Sequence, residues 1–318
     1  MAPATSLPPA VYIVGAGPGD PELLTVKAQR MIQQADVLVY ANSLVPMQIL
    51  SAIRPDAEKI ATANMTLEAI VPLMIDRVKN GQSVVRLHSG DPSLYSAIHE
   101  QMLRLAEADV PFEVIPGISA FQAAAAKLQV ELTIPAVVQS IILTRISGRT
   151  QVPAAEELAS LAAHRASLCL YLSARHVAAS QADLLVHYPP TTPVAICFRV
   201  GWPDEHIEVV PLAQMAQVSE AKALVRTTLY IISPALAGRG GKKTADVGQT
   251  PMTSGAVNDT ISEGAVRSRL YNPTHDHLFR PLTHQKSGSE ESGKKPLEEA
   301  NQEPRSQQLK KEQEKGRK

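Results

Sequence analysis

The chain opens as a regular alternation of short apolar runs and breaks rich in glycine or proline. Val11-Tyr12-Ile13-Val14 is apolar throughout and ends at glycine, the pattern of a strand buried on both faces. Gly15-Ala16-Gly17-Pro18-Gly19-Asp20-Pro21 follows, too dense in Gly and Pro for anything but a loop. Apolar positions at Leu23, Leu24, Val26, Ala28, Met31 and Ile32 then predict a helix, and Asp36 to Tyr40 a second strand. A helix from about Thr66 to Asn80 stops at Gly81, although Pro72 counts against its continuity. Ser83 to Leu87 reads as a strand running into His88-Ser89-Gly90-Asp91-Pro92. Leu94 to Ala108 reads as a helix, and Phe112 to Ile115 as a strand broken at Pro116-Gly117. An Ala-rich helix begins near Ser119. Strand, loop and helix repeated in this way predict a mainly parallel α/β sheet covered by helices.

After about Pro135 strands become denser. Ser140 to Arg145, Ser167 to Ser173, Pro193 to Arg199, Ile207 to Pro211 and Thr227 to Ser233 are strand-like, with helices near Ala154 to His164 and Val177 to His187. This predicts a second α/β domain with a mixed sheet. The expected organisation is an N-terminal α/β domain at 10–118, a C-terminal α/β domain at 119–236, and a linker, short docking arm and disordered tail at 237–318. The arm is expected at Arg267 to Arg280, which keeps Leu270, Tyr271, Leu278 and Phe279; past Pro281 almost no apolar residue remains.

Composition narrows the function classes. Hydrophobic residues make up 44% of the chain but aromatics only 4%, so aliphatic side chains must do the packing. The net charge is zero, and the segment up to Leu236 is mildly acidic, with 16 basic against 20 acidic residues. That balance argues against nucleic acid or membrane partners. Cys169 and Cys197, each in an apolar run, read as small buried hydrophobes. No apolar window is long enough to span a bilayer, and Met1 to Ala10 lack the order of a secretory signal. A cytoplasmic protein is expected. Lys310 to Lys318 are interrupted by Glu312 and Glu314 and read as a solubilising extension.

The first glycine loop invites a dinucleotide reading, which fails on inspection. The third glycine of G-x-G-x-x-G would fall at position 20, where an aspartate would face the pyrophosphate. A phosphate loop of the G-x-x-x-x-G-K-[ST] type is also missing. What remains are three tight loops, after Val14, after Leu87 and after Ile115, each at the carboxyl end of a strand, where ligands of open α/β sheets gather. They suggest a small ligand gripped by backbone groups.

These loops resemble the signatures of the tetrapyrrole methylases. Gly15-Ala16-Gly17-Pro18-Gly19-Asp20-Pro21-Glu22-Leu23-Leu24-Thr25 is similar to the first, Val85 to Tyr95 to the second, and Val114-Ile115-Pro116-Gly117-Ile118-Ser119-Ala120 to the third. The likeness covers roughly residues 10 to 236. Val39 to Val45, Arg86 to Tyr95, Arg199 to Asp204 and Ser268 to Pro273 resemble the precorrin-4 branch of that family most closely.

The resemblance implies S-adenosylmethionine as methyl donor, carbon 11 of precorrin-4 or cobalt-precorrin-4 as acceptor, a place in cobalamin biosynthesis, and a homodimer. It implies a cofactor site at Pro18, Ser89, Gly90, Asp91, Leu94, Ser119, Ala120, Leu172 and Val200. Substrate carboxylates need positive partners, and Arg86, Arg145, Arg149 and Arg199, at strand ends or adjoining loops, are the candidates. No general base is evident: uroporphyrinogen methylases of the family carry Asp where this chain has Ala41, which argues against that substrate. Tyr40 and His88, beside ligand loops, are the candidates for proton handling. His275 and His277 lie in the docking arm, and no metal-ligand cluster is expected. The competing readings are a relative acting on another precorrin carbon or on uroporphyrinogen III, an RNA methylase, and a non-catalytic binding protein of the same fold.

Overall fold

In a computed structural model, which describes residues 6–148, 150–224 and 226–237, the alternating pattern becomes two five-stranded sheets. The elements of the first are β1 (Val11–Gly15), α1 (Val26–Gln34), β2 (Val37–Tyr40), β3 (Glu58–Ala61), α2 (Leu67–Lys79), β4 (Val84–His88), α3 (Ile98–Glu107) and β5 (Phe112–Ile115). Its strand order is β3-β2-β4-β1-β5, and every pairing is parallel. The second half contributes α4 (Ala120–Leu128), β6 (Ile141–Arg145), α5 (Leu158–Ala162), β7 (Ser167–Tyr171), α6 (Val177–Leu185), β8 (Pro193–Phe198), β9 (His206–Pro211), α7 (Met215–Ala221) and β10 (Thr228–Ile232). Its order is β6-β7-β10-β8-β9, with β6 and β7 parallel and the other pairs antiparallel. A mainly parallel sheet and a mixed one are therefore observed, and both belong to one compact unit.

Alternation along the strands sorts side chains to the two faces of each sheet. On one side of the first sheet Val14, Leu38, Val85 and Leu87 pack with Met31 and Ile32 of α1; on the other Ile13, Val39 and Val84 meet Val71 and Met74 of α2 and Leu105 of α3. In the second sheet Leu168, Leu170, Ile196 and Tyr230 face α5, α6 and α7, while Cys169, Cys197, Leu229 and Ile231 face Ala123, Ala124 and Leu128 of α4. Each fully buried Leu or Ile here contributes about 1.5–3 kcal/mol. Both cysteines are free and buried.

Local chemistry explains some boundaries. Thr25 caps α1 by accepting from the Ala28 amide (3.1 Å). Pro72 sits inside an unbroken α2, on its exposed side, where the carbonyl it leaves unpaired can meet water. One expectation needs correction, and two elements went unpredicted. The helix expected from Leu94 begins only at Ile98, because Tyr95 (φ 55°) and Ala97 (φ 50°) take left-handed conformations. Strand β3 escapes a hydrophobic pattern, since Glu58 and Lys59 are exposed on the sheet edge; charges there discourage further strand pairing. Helix α7 buries Met215, Ala216 and Ser219 and carries too little apolar periodicity to stand out. Arg149, His275, His277 and the expected arm and tail lie outside the described residues.

Candidate active site

The strand order places β1 between β4 and β5, so the three tight loops emerge side by side. They are locked by backbone contact. Ala16 N donates to His88 O (2.7 Å), Gly90 N to Gly17 O (2.7 Å), and Gly117 N to the Asp91 carboxylate (2.9 Å). A methyl group at Gly117 would stand 2.3 Å from Gly90 O, and one at Gly15 would stand 2.6 Å from the Gly117 backbone. Glycine is required at both positions by space alone. Burial by itself would raise the Asp91 pKa, but the bonds from Ser93 and Gly117 outweigh it and hold the carboxyl below its ordinary range.

The first loop also interlocks with the turn after β8. Gln48 Nε2 donates to Gly19 O (2.7 Å) and Gly201 O (2.8 Å), while Gly19 and Gly201 press on Trp202 and Asp20. Across from the third loop, the Tyr171 hydroxyl lies 3.0 Å from Ser119 Oγ, and its ring stands 5.3 Å from that of Tyr95. Burial pushes the Tyr171 pKa up to about 12, so the phenol stays protonated.

Between these walls is a cavity of about 610 Å³. Pro18, Ser89, Gly90, Asp91 and Leu94 line it from the first sheet; Ser119, Ala120, Leu172 and Val200 line it from the third loop and the second sheet. All nine positions singled out for a cofactor thus border one space. The lining is largely apolar, and Gly90 can border it only with its main chain, which suits a ligand of small-molecule size.

The candidate polar residues divide. Arg86 borders the cavity, is 7% exposed, donates to Thr62 Oγ1 (2.9 Å), and leaves Nε without a partner; burial lowers its pKa to about 10. His88 also borders it with Nε2 unpartnered, and burial, helped by Arg86, lowers its pKa to about 3. That imidazole is neutral near pH 7 and a feeble base. Tyr40 is absent from the lining and packs in the core with Leu38 and Leu87. Arg145 turns back onto the carbonyls of Thr150 (2.9 Å) and Gln151 (3.1 Å), and Arg199 pairs with Asp204 and lies over the Trp202 ring. Neither is among the lining residues, because each finds its partners in its own loop. Two arginines not singled out from sequence, Arg175 and Arg226, do line it. Each adjoins a strand end, the same placement that made Arg145 and Arg199 candidates. Among the described residues no group of His, Cys, Asp and Glu could hold a metal, and no helix is long and apolar enough to cross a membrane.

Fold and site together define an α/β protein with a ligand-sized cavity beyond the carboxyl ends of its parallel strands. The family profile of the tetrapyrrole (corrin/porphyrin) methylases matches residues 10–216, and the chain belongs to that family. It is 42% identical over 272 residues to the precorrin-4 C(11)-methyltransferase of Pseudomonas aeruginosa, spanning 85% of this chain and 98% of that one. Among solved structures it resembles a cobalamin biosynthetic enzyme, cobalt precorrin-4 methyltransferase, at TM-score 0.69 and 40% identity, covering 71% of this chain and 95% of the other. It also resembles the uroporphyrin-III C-methyltransferase of Thermus thermophilus complexed with S-adenosylhomocysteine, at TM-score 0.59 and 27% identity, covering 71% and 98%.

Proposed function

We propose that this protein is an S-adenosylmethionine-dependent methyltransferase that methylates carbon 11 of precorrin-4 or cobalt-precorrin-4 in cobalamin biosynthesis. The observation that carries the reading is the convergence of nine loop and strand-end positions on one cavity. The family's chemistry and the relatives that share two-fifths of its residues support it.

When bound, the cofactor supplies a methyl group already activated on sulfur. The chain's own task is alignment, which can be worth about 7–11 kcal/mol. Gly90 presents main chain at the cavity wall, Asp91 stands beside it, and Pro18, Leu172 and Val200 shape its apolar sides. Leu44, Tyr95 and Leu172 line the cavity yet stay 47%, 41% and 66% exposed, so an apolar rim is available to the face of a macrocycle. Arg86, buried with one unsatisfied N–H, suits a ligand carboxylate. Ala41 also lines the cavity, at the position where uroporphyrinogen methylases carry Asp, which favours a precorrin over uroporphyrinogen III. The family resemblance supports a homodimer, and its biosynthetic role a cytoplasmic location.

The test is substrate competition. Purified protein with labelled cofactor is expected to label precorrin-4 or its cobalt form and to leave uroporphyrinogen III unlabelled. Preferential labelling of uroporphyrinogen III would contradict the reading.

A further inference from the structure

The cavity wall built by the second sheet carries two exposed guanidinium groups, Arg175 and Arg226, without a side-chain partner among the described residues. Arg175 follows the end of β7 and Arg226 precedes β10. These strands are antiparallel, with Tyr230 opposite Leu170, so the end of one and the start of the other lie at the same edge of the sheet. Four other arginines are committed to carboxylates, Arg54 to Asp36, Arg77 to Glu58, Arg104 to Glu100 and Arg199 to Asp204, while Arg86 and Arg145 bond to a hydroxyl and to carbonyls. The carboxylate in the lining, Asp91, is held by Ser93 and Gly117. The wall therefore presents positive charge with no counter-charge of its own.

The backbone beneath is unusual as well. Leu172 (φ 55°), Arg199 (φ 48°) and Thr227 (φ 55°) are all left-handed at neighbouring strand ends, and for a β-branched threonine this is a true outlier. Such conformations persist where the surroundings over-determine them, and they cluster at ligand contacts.

We propose that Arg175 and Arg226 are specificity-determining residues that receive acidic side chains of the tetrapyrrole at the cavity wall, a role that rests on the methyltransferase reading above. Each fork of N–H donors matches a carboxylate bidentately. Their place on the second-sheet wall, across from the glycine loops, lets them fix how the ring lies and so which carbon faces the donor. A carboxylate could also come from the amino-acid end of the cofactor, and the experiment separates the two sources.

The full-length protein and its Arg175→Gln, Arg226→Gln and double variants are titrated with cobalt-precorrin-4 by absorbance and with S-adenosylhomocysteine by calorimetry. Each single change is expected to weaken macrocycle binding about tenfold, and the double change more. Affinity for S-adenosylhomocysteine should stay within about twofold. KM for the macrocycle should rise and kcat for transfer to carbon 11 should fall as the ring loses its fixed orientation, Arg→Lys should restore part of the loss, and added salt should weaken wild type more than the double variant. Both side chains are exposed, so folding should be unchanged by circular dichroism. Unaltered macrocycle affinity in the double variant would overturn the proposal, as would a matching loss of S-adenosylhomocysteine affinity. A wild type that binds the macrocycle but transfers no methyl would sink the methyltransferase reading, while the variant affinities still decide the arginine role. A wild type that binds no macrocycle would overturn the arginine role directly.

Discussion

At the scale of single residues, burial has disarmed the side chains that look most reactive. His88 is the clearest case. Its pKa falls from 6.5 to about 3, burial being the larger cause and Arg86 the lesser. The unfolded chain therefore takes up a proton between pH 6.5 and 3 that the folded chain refuses. The stability that neutral His88 contributes is complete above about pH 6.5 and drains away as pH falls toward 3. Urea midpoints should accordingly decline over that window, and His88→Gln should flatten the decline; an unchanged slope in the variant would contradict the burial argument. Gly117 makes a second case. Gly117→Ala drives a methyl group to 2.3 Å from a backbone oxygen that cannot rotate away. Destabilisation by about 1–3 kcal/mol is expected, with loss of S-adenosylhomocysteine binding by calorimetry; wild-type affinity would show that the loops can part. The glycines themselves were legible in sequence, since few other residues permit such loops. The commitments of Arg145 and Arg199 were not. A sequence shows an arginine at a strand end but not whether its own loop will turn carbonyls or Asp204 toward it.

At the scale of elements, apolar strands and glycine breaks gave both sheets away because burial on two faces demands unbroken hydrophobic runs. Strand β3 stayed hidden because an edge strand buries little. The start of α3 was misplaced because Leu94 and Ile98 keep helical spacing across a stretch whose backbone turns left-handed. The interlock between the first loop and the turn after β8 had no sequence signature, since Gln48, Gly19 and Gly201 are brought together only by the fold. Its function can be tested with Trp202, the single tryptophan of the chain, which touches Gly19 beside Pro18. Adding S-adenosylhomocysteine should change tryptophan fluorescence. Gln48→Ala, which removes two hydrogen bonds, should cost about 1–2 kcal/mol of stability and weaken that fluorescence response. A full response at wild-type ligand concentration would mean that the interlock does not shape the site.

At the scale of the whole molecule, the two sheets meet around a cavity that neither could build alone. The first contributes backbone held close by glycine, and the second contributes Leu172, Val200 and two uncommitted arginines. This division of labour fits a transfer in which the donor is already activated and the protein must position two ligands. The most direct test is to incubate the protein with methyl-labelled S-adenosylmethionine and precorrin-4, with and without cobalt in the ring, and to locate the label by carbon NMR. Label at carbon 11 is the predicted result. Label on any other ring carbon, or no transfer by protein that still binds the cofactor, would contradict it.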